Sequence, residues 1–203
     1  ALLATGVEEF GGVDFAVSAH TIFGCGYLQT TRQQWHTSLN VNVASSAMFI
    51  EKAVPLMQAR GAGAAVLVTS ISGKASQPNR IVYPVTKAAL LGLSRNMAQA
   101  LAPLGIRLNS VSPGWTWSRN IEARYGSREY ADDFAGEFHA IRRMAEPEEI
   151  ADAICYLCSD GATFVTGSDF AVDGAYSAMG PEALGQPYAV SYTHLTLPTN
   201  REV

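Results

Sequence analysis

Ala64-Ala65-Val66-Leu67-Val68-Thr69 is a short apolar run; a helical period follows over about 81–102, and then a second run, Ile106-Arg107-Leu108-Asn109-Ser110-Val111. Strands this apolar have no water-facing side and must be covered on both faces. A helix-length connection between two of them makes them parallel. Working outward, Asp14 to Ser18 supplies a strand after the Gly11-Gly12 turn, and Ser168 to Val172 supplies one before Asp173-Gly174. Helices are predicted over about 31–60, 81–102 and 147–159. The last has a readable start, since Glu146-Pro147-Glu148-Glu149 puts proline in the first turn and carboxylates at the positive end of the helix dipole. The alternation predicts an α/β fold, a doubly wound parallel sheet in three αβα layers.

With 203 residues, 48% of them hydrophobic, the chain can bury one large core but not two comfortable ones. The net charge of −4 is spread without long runs of either sign, which argues against nucleic acid and against polybasic membrane anchoring. No apolar run approaches the ~20 residues needed to span a bilayer. The opening residues Ala1 to Gly6 lack the charged start of a signal peptide, so a cytoplasmic protein is expected. Cys25, Cys155 and Cys158 do not form a disulfide framework and suit reducing surroundings. Cys155-Tyr156-Leu157-Cys158 has C-x-x-C spacing, but it lies in the apolar period from Ile150 and reads as helix packing, so no metal is expected.

Arg119 to Arg143 fits neither a strand nor a clean helix, and its position after a strand's C-terminal end is that of a substrate lid, about 119–143. The chain opens on what reads as a helix end. Thr5-Gly6 with Gly11-Gly12 imitates a phosphate-binding glycine turn, but Phe10 stands at a required glycine and no apolar strand precedes it. Gly24-Cys25-Gly26 fails for the same lack of context. The expectation is therefore a partial nucleotide-binding domain over 1–189 that lacks its first strands and glycine-rich loop, with Phe15-Ala16-Val17 as an unpaired, association-prone sheet edge. The segment Val190 to Val203 reads as a translated sequencing adapter, a non-native tail.

Chemistry is concentrated in Ser70 and in Tyr83-Pro84-Val85-Thr86-Lys87. Spacing i, i+4 puts Tyr83 and Lys87 on one helix face. A phenol with a pKa near 10 is a poor acid-base catalyst at neutral pH, and a neighbouring ammonium is expected to pull that pKa toward working pH. Tyr83 would then exchange a proton with a substrate oxygen held by the Ser70 hydroxyl, while hydride passes between the substrate carbon and a nicotinamide. Ser72 is a spare hydroxyl two residues on.

Ser70 followed thirteen residues later by Tyr-x-x-x-Lys resembles the short-chain dehydrogenase/reductase family. That resemblance implies a Rossmann-like fold and an enzyme that interconverts a secondary alcohol and a ketone with NAD or NADP, the two being indistinguishable here. It also assigns Asn42, twenty-eight residues before Ser70, to a water-linked proton relay behind Lys87, and leaves Asn40 as a solvated helix position. Ser112-Pro113-Gly114-Trp115-Thr116-Trp117-Ser118 resembles the family's turn that holds the nicotinamide carboxamide, implicating Pro113, Gly114, Thr116 and Ser118. Ser18-Ala19-His20-Thr21 stands where the family has N-N-A-G, so Ser18, Ala19 and His20 are implied cofactor contacts, with the bulk of His20 and Thr21 opposing close approach. Phe164 to Gly167 and Val172 to Gly174 resemble the closing strand and its turn. A homo-oligomer, tetramer or dimer, and a small-molecule alcohol or ketone are implied in the same way. The competing reading is a non-catalytic fragment or a binding protein on the same fold.

Overall fold

In the computed structural model, which describes residues 2–23 and 27–181, four strands pair in the order in which the chain makes them. β1 (Phe15–Ser18), β2 (Gly63–Val68), β3 (Ile106–Pro113) and β4 (Asp169–Val172) form one parallel sheet, each strand within two residues of its predicted bounds. The Gly24-Cys25-Gly26 run and the tail from Val190 lie outside the described residues.

The helices are α1 (Leu2–Phe10), α2 (Arg32–Leu39), α3 (Ser45–Ala59), α4 (Val82–Leu101), α5 (Arg119–Tyr125), α6 (Arg128–Gly136) and α7 (Pro147–Cys158). Successive strand residues face opposite sides. On one side Ala65, Leu67, Ile106 and Leu108 pack against Ile50, Ala53 and Met57 of α3 and Leu90, Ala98 and Leu101 of α4. On the other, Val66 and Val111 meet Ile150 and Leu157 of α7. These are the three layers that the apolar strands demanded. β1 lies at one edge: Ala16 is buried, while Phe15 and Val17 are exposed.

The predicted helix over 31–60 is interrupted. Between α2 and α3 the residues Asn40–Ala44 form a π turn, in which the Ser45 N–H reaches back five residues to Asn40 O. Such turns widen a helix and are frequent at functional sites; this one places Asn42 wholly out of solvent and leaves Asn40 exposed. The lid segment, expected to be irregular, contains two short helices. The Ser118 and Ser127 hydroxyls cap them by accepting from the N–H groups of Ile121 and Tyr130. Gly126, at φ +80°, separates them in a conformation that few other residues adopt. Trp115, Tyr125, Phe134 and Phe138 hold the segment together as a ring cluster with centroids 5.0–6.2 Å apart.

Thr5 and Gly6 lie inside α1, and Gly11 and Gly12 in the turn after it. Cys155 and Cys158 are free thiols on α7, Cys158 packed against the sheet. Among the described residues no helix is long and apolar enough to cross a membrane.

Asp169 of β4 anchors the site end of the sheet. Its carboxylate accepts from Ser110 Oγ (2.6 Å), Ser112 Oγ (2.8 and 2.9 Å) and Thr69 Oγ1 (3.3 Å), and pairs with Lys74. One carboxylate thus ties the ends of β2 and β3 to the turn that carries Ser70.

Candidate active site

Ser70 leaves β2 and caps the short 3₁₀ turn Ile71–Gly73, its Oγ accepting from the Ser72 N–H at 3.1 Å. Gly73 makes the next contact possible: a Cβ there would come within 2.8 Å of the Lys87 carbonyl carbon, so only glycine lets this turn lie directly on α4. Across that contact the Ser70 hydroxyl lines the same cavity as the Tyr83 phenol and lies near enough to favour its ionised form. Ser72 Oγ is committed to Gln77 Oε1 at 2.8 Å. One turn along α4, Lys87 is buried, with Nζ 5.6 Å from the Tyr83 ring centroid and donating to Val68 O at 2.8 Å.

The electrostatics differ from the sequence expectation. Burial pushes the Tyr83 pKa up from its ordinary value, and the nearby Ser70 hydroxyl and the Arg80 guanidinium oppose this without reversing it. Burial also pushes Lys87 down to about 8. The expected pull of the ammonium on the phenol is not what decides its pKa, because the loss of hydration on burial is the largest influence. At neutral pH the pair is a protonated phenol beside a lysine that gives up its proton easily.

Asn42 braces this pair from behind. Its Oδ1 accepts from the Ile22 N–H (2.8 Å), and its Nδ2 donates to Ile22 O (2.8 Å) and Thr86 Oγ1 (3.0 Å); Thr86 in turn donates to Tyr83 O (2.8 Å). The carboxamide therefore couples the loop after β1 to the helix turn that carries the phenol. Thr86, hidden inside Tyr-x-x-x-Lys, was not singled out by sequence. Ser18 and His20 also turn away from the cleft. Ser18 Oγ donates to Ser46 Oγ at 3.0 Å, and His20 Nε2 donates to Val41 O at 2.9 Å, a carbonyl of the π turn. His20 therefore does not obstruct the cleft, while Ala19 and Thr21 line it.

The Pro113-Gly114 turn closes the opposite wall. Trp115 and Trp117 pair with Ala145 through backbone bonds of 2.8 and 2.9 Å, Thr116 Oγ1 donates to Gly114 O at 3.2 Å, and Ser118 caps α5 with its hydroxyl proton left to donate. Behind the turn lies His139, a residue that sequence did not flag. It is 2% exposed, its Nδ1 donates to Ala135 O (2.9 Å) and its Nε2 accepts from the Trp115 N–H (3.2 Å), which ties the end of α6 to the turn. Gly114 is needed for this contact, since a Cβ would lie 2.7 Å from Nε2.

Burial pushes the His139 pKa down, only partly opposed by the Ala135 carbonyl and Asp173. Its neutral form therefore stabilises the fold fully above the ordinary pKa of about 6.5. That contribution is lost as pH falls below this value, because the unfolded chain takes up a proton that the folded chain resists. His139→Leu, which strands the Trp115 N–H while Ala135 O keeps its backbone donors, is expected to cost about 1–3 kcal/mol at pH 7.5. The gap from wild type should narrow toward pH 5 in paired denaturant melts; a gap independent of pH would refute a buried neutral histidine.

These groups share one open cavity of about 900 Å³. Ala19, Ser70, Tyr83, Lys87, Pro113, Gly114, Thr116 and Ser118 all line it; Ser18, His20 and Asn42 stand behind its wall. A serine hydroxyl on a tyrosine, a buried lysine one turn on, and a proline-glycine turn opposite define a short-chain dehydrogenase/reductase site.

The chain belongs to the short-chain dehydrogenase/reductase family. A family model described as enoyl-(acyl carrier protein) reductase matches residues 1–177. The chain is 36% identical over 180 residues to dehydrogenase/reductase SDR family member 4 of Mus musculus, covering 85% of this chain and 62% of that protein. It thus spans less than two thirds of the length of that curated relative. Among solved structures, L-sorbose reductase from Gluconobacter frateurii complexed with NADPH and L-sorbose superposes with a TM-score of 0.78 at 29% identity, over 85% of this chain and 70% of that one. Ligand-free aldohexose dehydrogenase from Thermoplasma acidophilum gives 0.81 at 25%, over 92% and 75%.

Proposed function

We propose that the protein is an NAD(P)-dependent oxidoreductase that interconverts a secondary alcohol and a ketone, with Tyr83 as the acid-base group. The observation that carries this reading is the Ser70–Tyr83–Lys87 arrangement on one cavity wall, with a protonated phenol in contact with a hydroxyl and a lysine poised near neutrality. A nicotinamide held here would supply the hydride for the substrate's carbonyl carbon, leaving the carbonyl oxygen to take up a proton. Ser70 holds that oxygen by hydrogen bonding, and Tyr83 donates its phenolic proton to it. Lys87 returns a proton to the phenolate, and Asn42 keeps the helix turn in register through Thr86.

The chain's residues fit the nicotinamide end of such a cofactor. An ammonium has three donors, and Lys87 engages one protein acceptor, Val68 O, among the described residues while lining the cavity. Its remaining protons suit ribose hydroxyls, and the Thr116 and Ser118 segment on the far wall suits the carboxamide. Family neighbours bound to NADPH support a nicotinamide cofactor.

The test is to follow oxidation of NADH and of NADPH by the protein over a panel of ketones. Turnover with either cofactor is the expected result. Saturable cofactor binding with no turnover across the panel would overturn the enzyme reading in favour of a binding protein on this fold.

A further inference from the structure

Acid partners are not evenly shared among the cations of this chain. Arg60, Lys74, Arg128 and Arg143 each form an ion pair with a carboxylate. Arg80 has no carboxylate within ion-pair distance among the described residues, although it lies three residues before Tyr83 on the wall of the cavity. Its guanidinium stacks on Trp115, 5.6 Å from the ring centroid, and its single hydrogen bond among the described residues is a long one, Nη1 to Gln77 Oε1 at 3.4 Å.

Stacking on an indole orients a guanidinium without neutralising it, and among the described residues four of the five N–H donors of Arg80 remain unclaimed. The surroundings do not offer compensation. Arg80, Lys87 and Arg124 line the cavity, and no Asp or Glu does among the described residues. Positive charge with unspent donors, beside the phenol and on the lid side of the nicotinamide turn, is a receptor for a ligand's anionic oxygens.

We infer that the substrate is an oxo acid (or, in the reverse direction, a hydroxy acid), its carboxylate held by Arg80 in a forked pair while Ser70 and Tyr83 hold the reacting oxygen. Trp115, Trp117 and Ile121 line the same cavity, which suits an apolar spacer. This rests on the oxidoreductase reading only for the identity of the reacting oxygen; the carboxylate subsite stands on the Arg80 geometry alone.

The test compares oxo acids of increasing spacer length with their uncharged amides, read two ways. Binding is read from quenching of tryptophan fluorescence, Trp115 lying under the guanidinium, and turnover as kcat/KM. In the wild-type protein the best acid should exceed its amide by about 30–100-fold, the size of a charge-assisted bidentate contact. Arg80→Gln should bring that ratio toward about 1, and Arg80→Lys should restore part of it. Thermal melts of both variants confirm the fold.

Acid and amide handled alike by the wild type would overturn the subsite even if ketones turn over. A loss in NADPH affinity for Arg80→Gln larger than the loss in oxo-acid affinity would also overturn it, assigning the guanidinium to the cofactor. Acid-selective binding that depends on Arg80, with no oxidation of either cofactor, would uphold the subsite and sink the oxidoreductase reading.

Discussion

Tyr83→Phe is expected to lower kcat for ketone reduction by about 10³-fold while leaving the thermal midpoint within a few degrees of wild type. The substitution removes one oxygen and keeps the ring that stacks with Phe23 at 5.1 Å. The Ser70 hydroxyl is not stranded, since it retains the Ser72 N–H at 3.1 Å and Ser72 Oγ at 3.2 Å. Burial already opposes ionisation of the phenol, so losing the hydroxyl costs little folding energy and removes the group proposed to give the substrate oxygen its proton. Three readouts separate the roles. A fall in kcat with nearly constant cofactor Kd and an unchanged melt identifies a group acting in the transition state. A fall confined to KM would make Tyr83 a binding residue. Retention of more than about a tenth of wild-type kcat would remove it from the acid-base role altogether.

How far such a site can be read from sequence depends on the range of the interaction. Ser70, Tyr83 and Lys87 were legible because two lie one helical turn apart and the third ends an obvious strand, so short-range geometry fixes their faces. The strands were legible because residues such as Val66 and Leu67 are apolar on both faces. The π turn at Asn40–Ala44 was not, since nothing in Asn-Val-Asn-Val-Ala marks an extra residue in a helical run, and it shows only in the folded chain, where its Val41 carbonyl accepts from His20. The lid's helices were missed because dense charges masked the caps at Ser118 and Ser127. His139 and Asp169 are single polar residues held by partners distant in sequence, Trp115 in one case and Ser110, Ser112 and Thr69 in the other. No local pattern announces such contacts. The direction of the Tyr83 pKa was misjudged for a related reason: i, i+4 spacing gives proximity, and only the packed structure shows that desolvation outweighs it.

Desolvation also makes Lys87 the residue at which stability and activity conflict. A lysine held at about 8 rather than its ordinary 10.5 is a buried cation whose charged form the fold disfavours. Below pH 8 both folded and unfolded chains carry that proton, and the folded chain bears a penalty on the order of 3 kcal/mol. Between pH 8 and 10.5 the folded chain releases the proton while the unfolded chain keeps it, so the penalty fades and stability rises with pH through that window. Lys87→Met fills the same volume without a charge. At pH 7 it is expected to be more stable than wild type by about 1–3 kcal/mol, part of the gain being offset by loss of the bond to Val68 O. The two proteins should converge in stability as pH approaches 10.5. Activity should behave oppositely: the variant should lose most turnover at any pH, and wild-type kcat/KM for reduction should decline above about pH 8 as the ammonium is lost. Chemical denaturation of both proteins at pH 7 and 10, beside a pH–rate profile, measures both effects. A Lys87→Met protein no more stable than wild type at pH 7 would mean that the ammonium is adequately solvated where it lies, and the low pKa that makes it a ready proton source for Tyr83 would have to be abandoned with it.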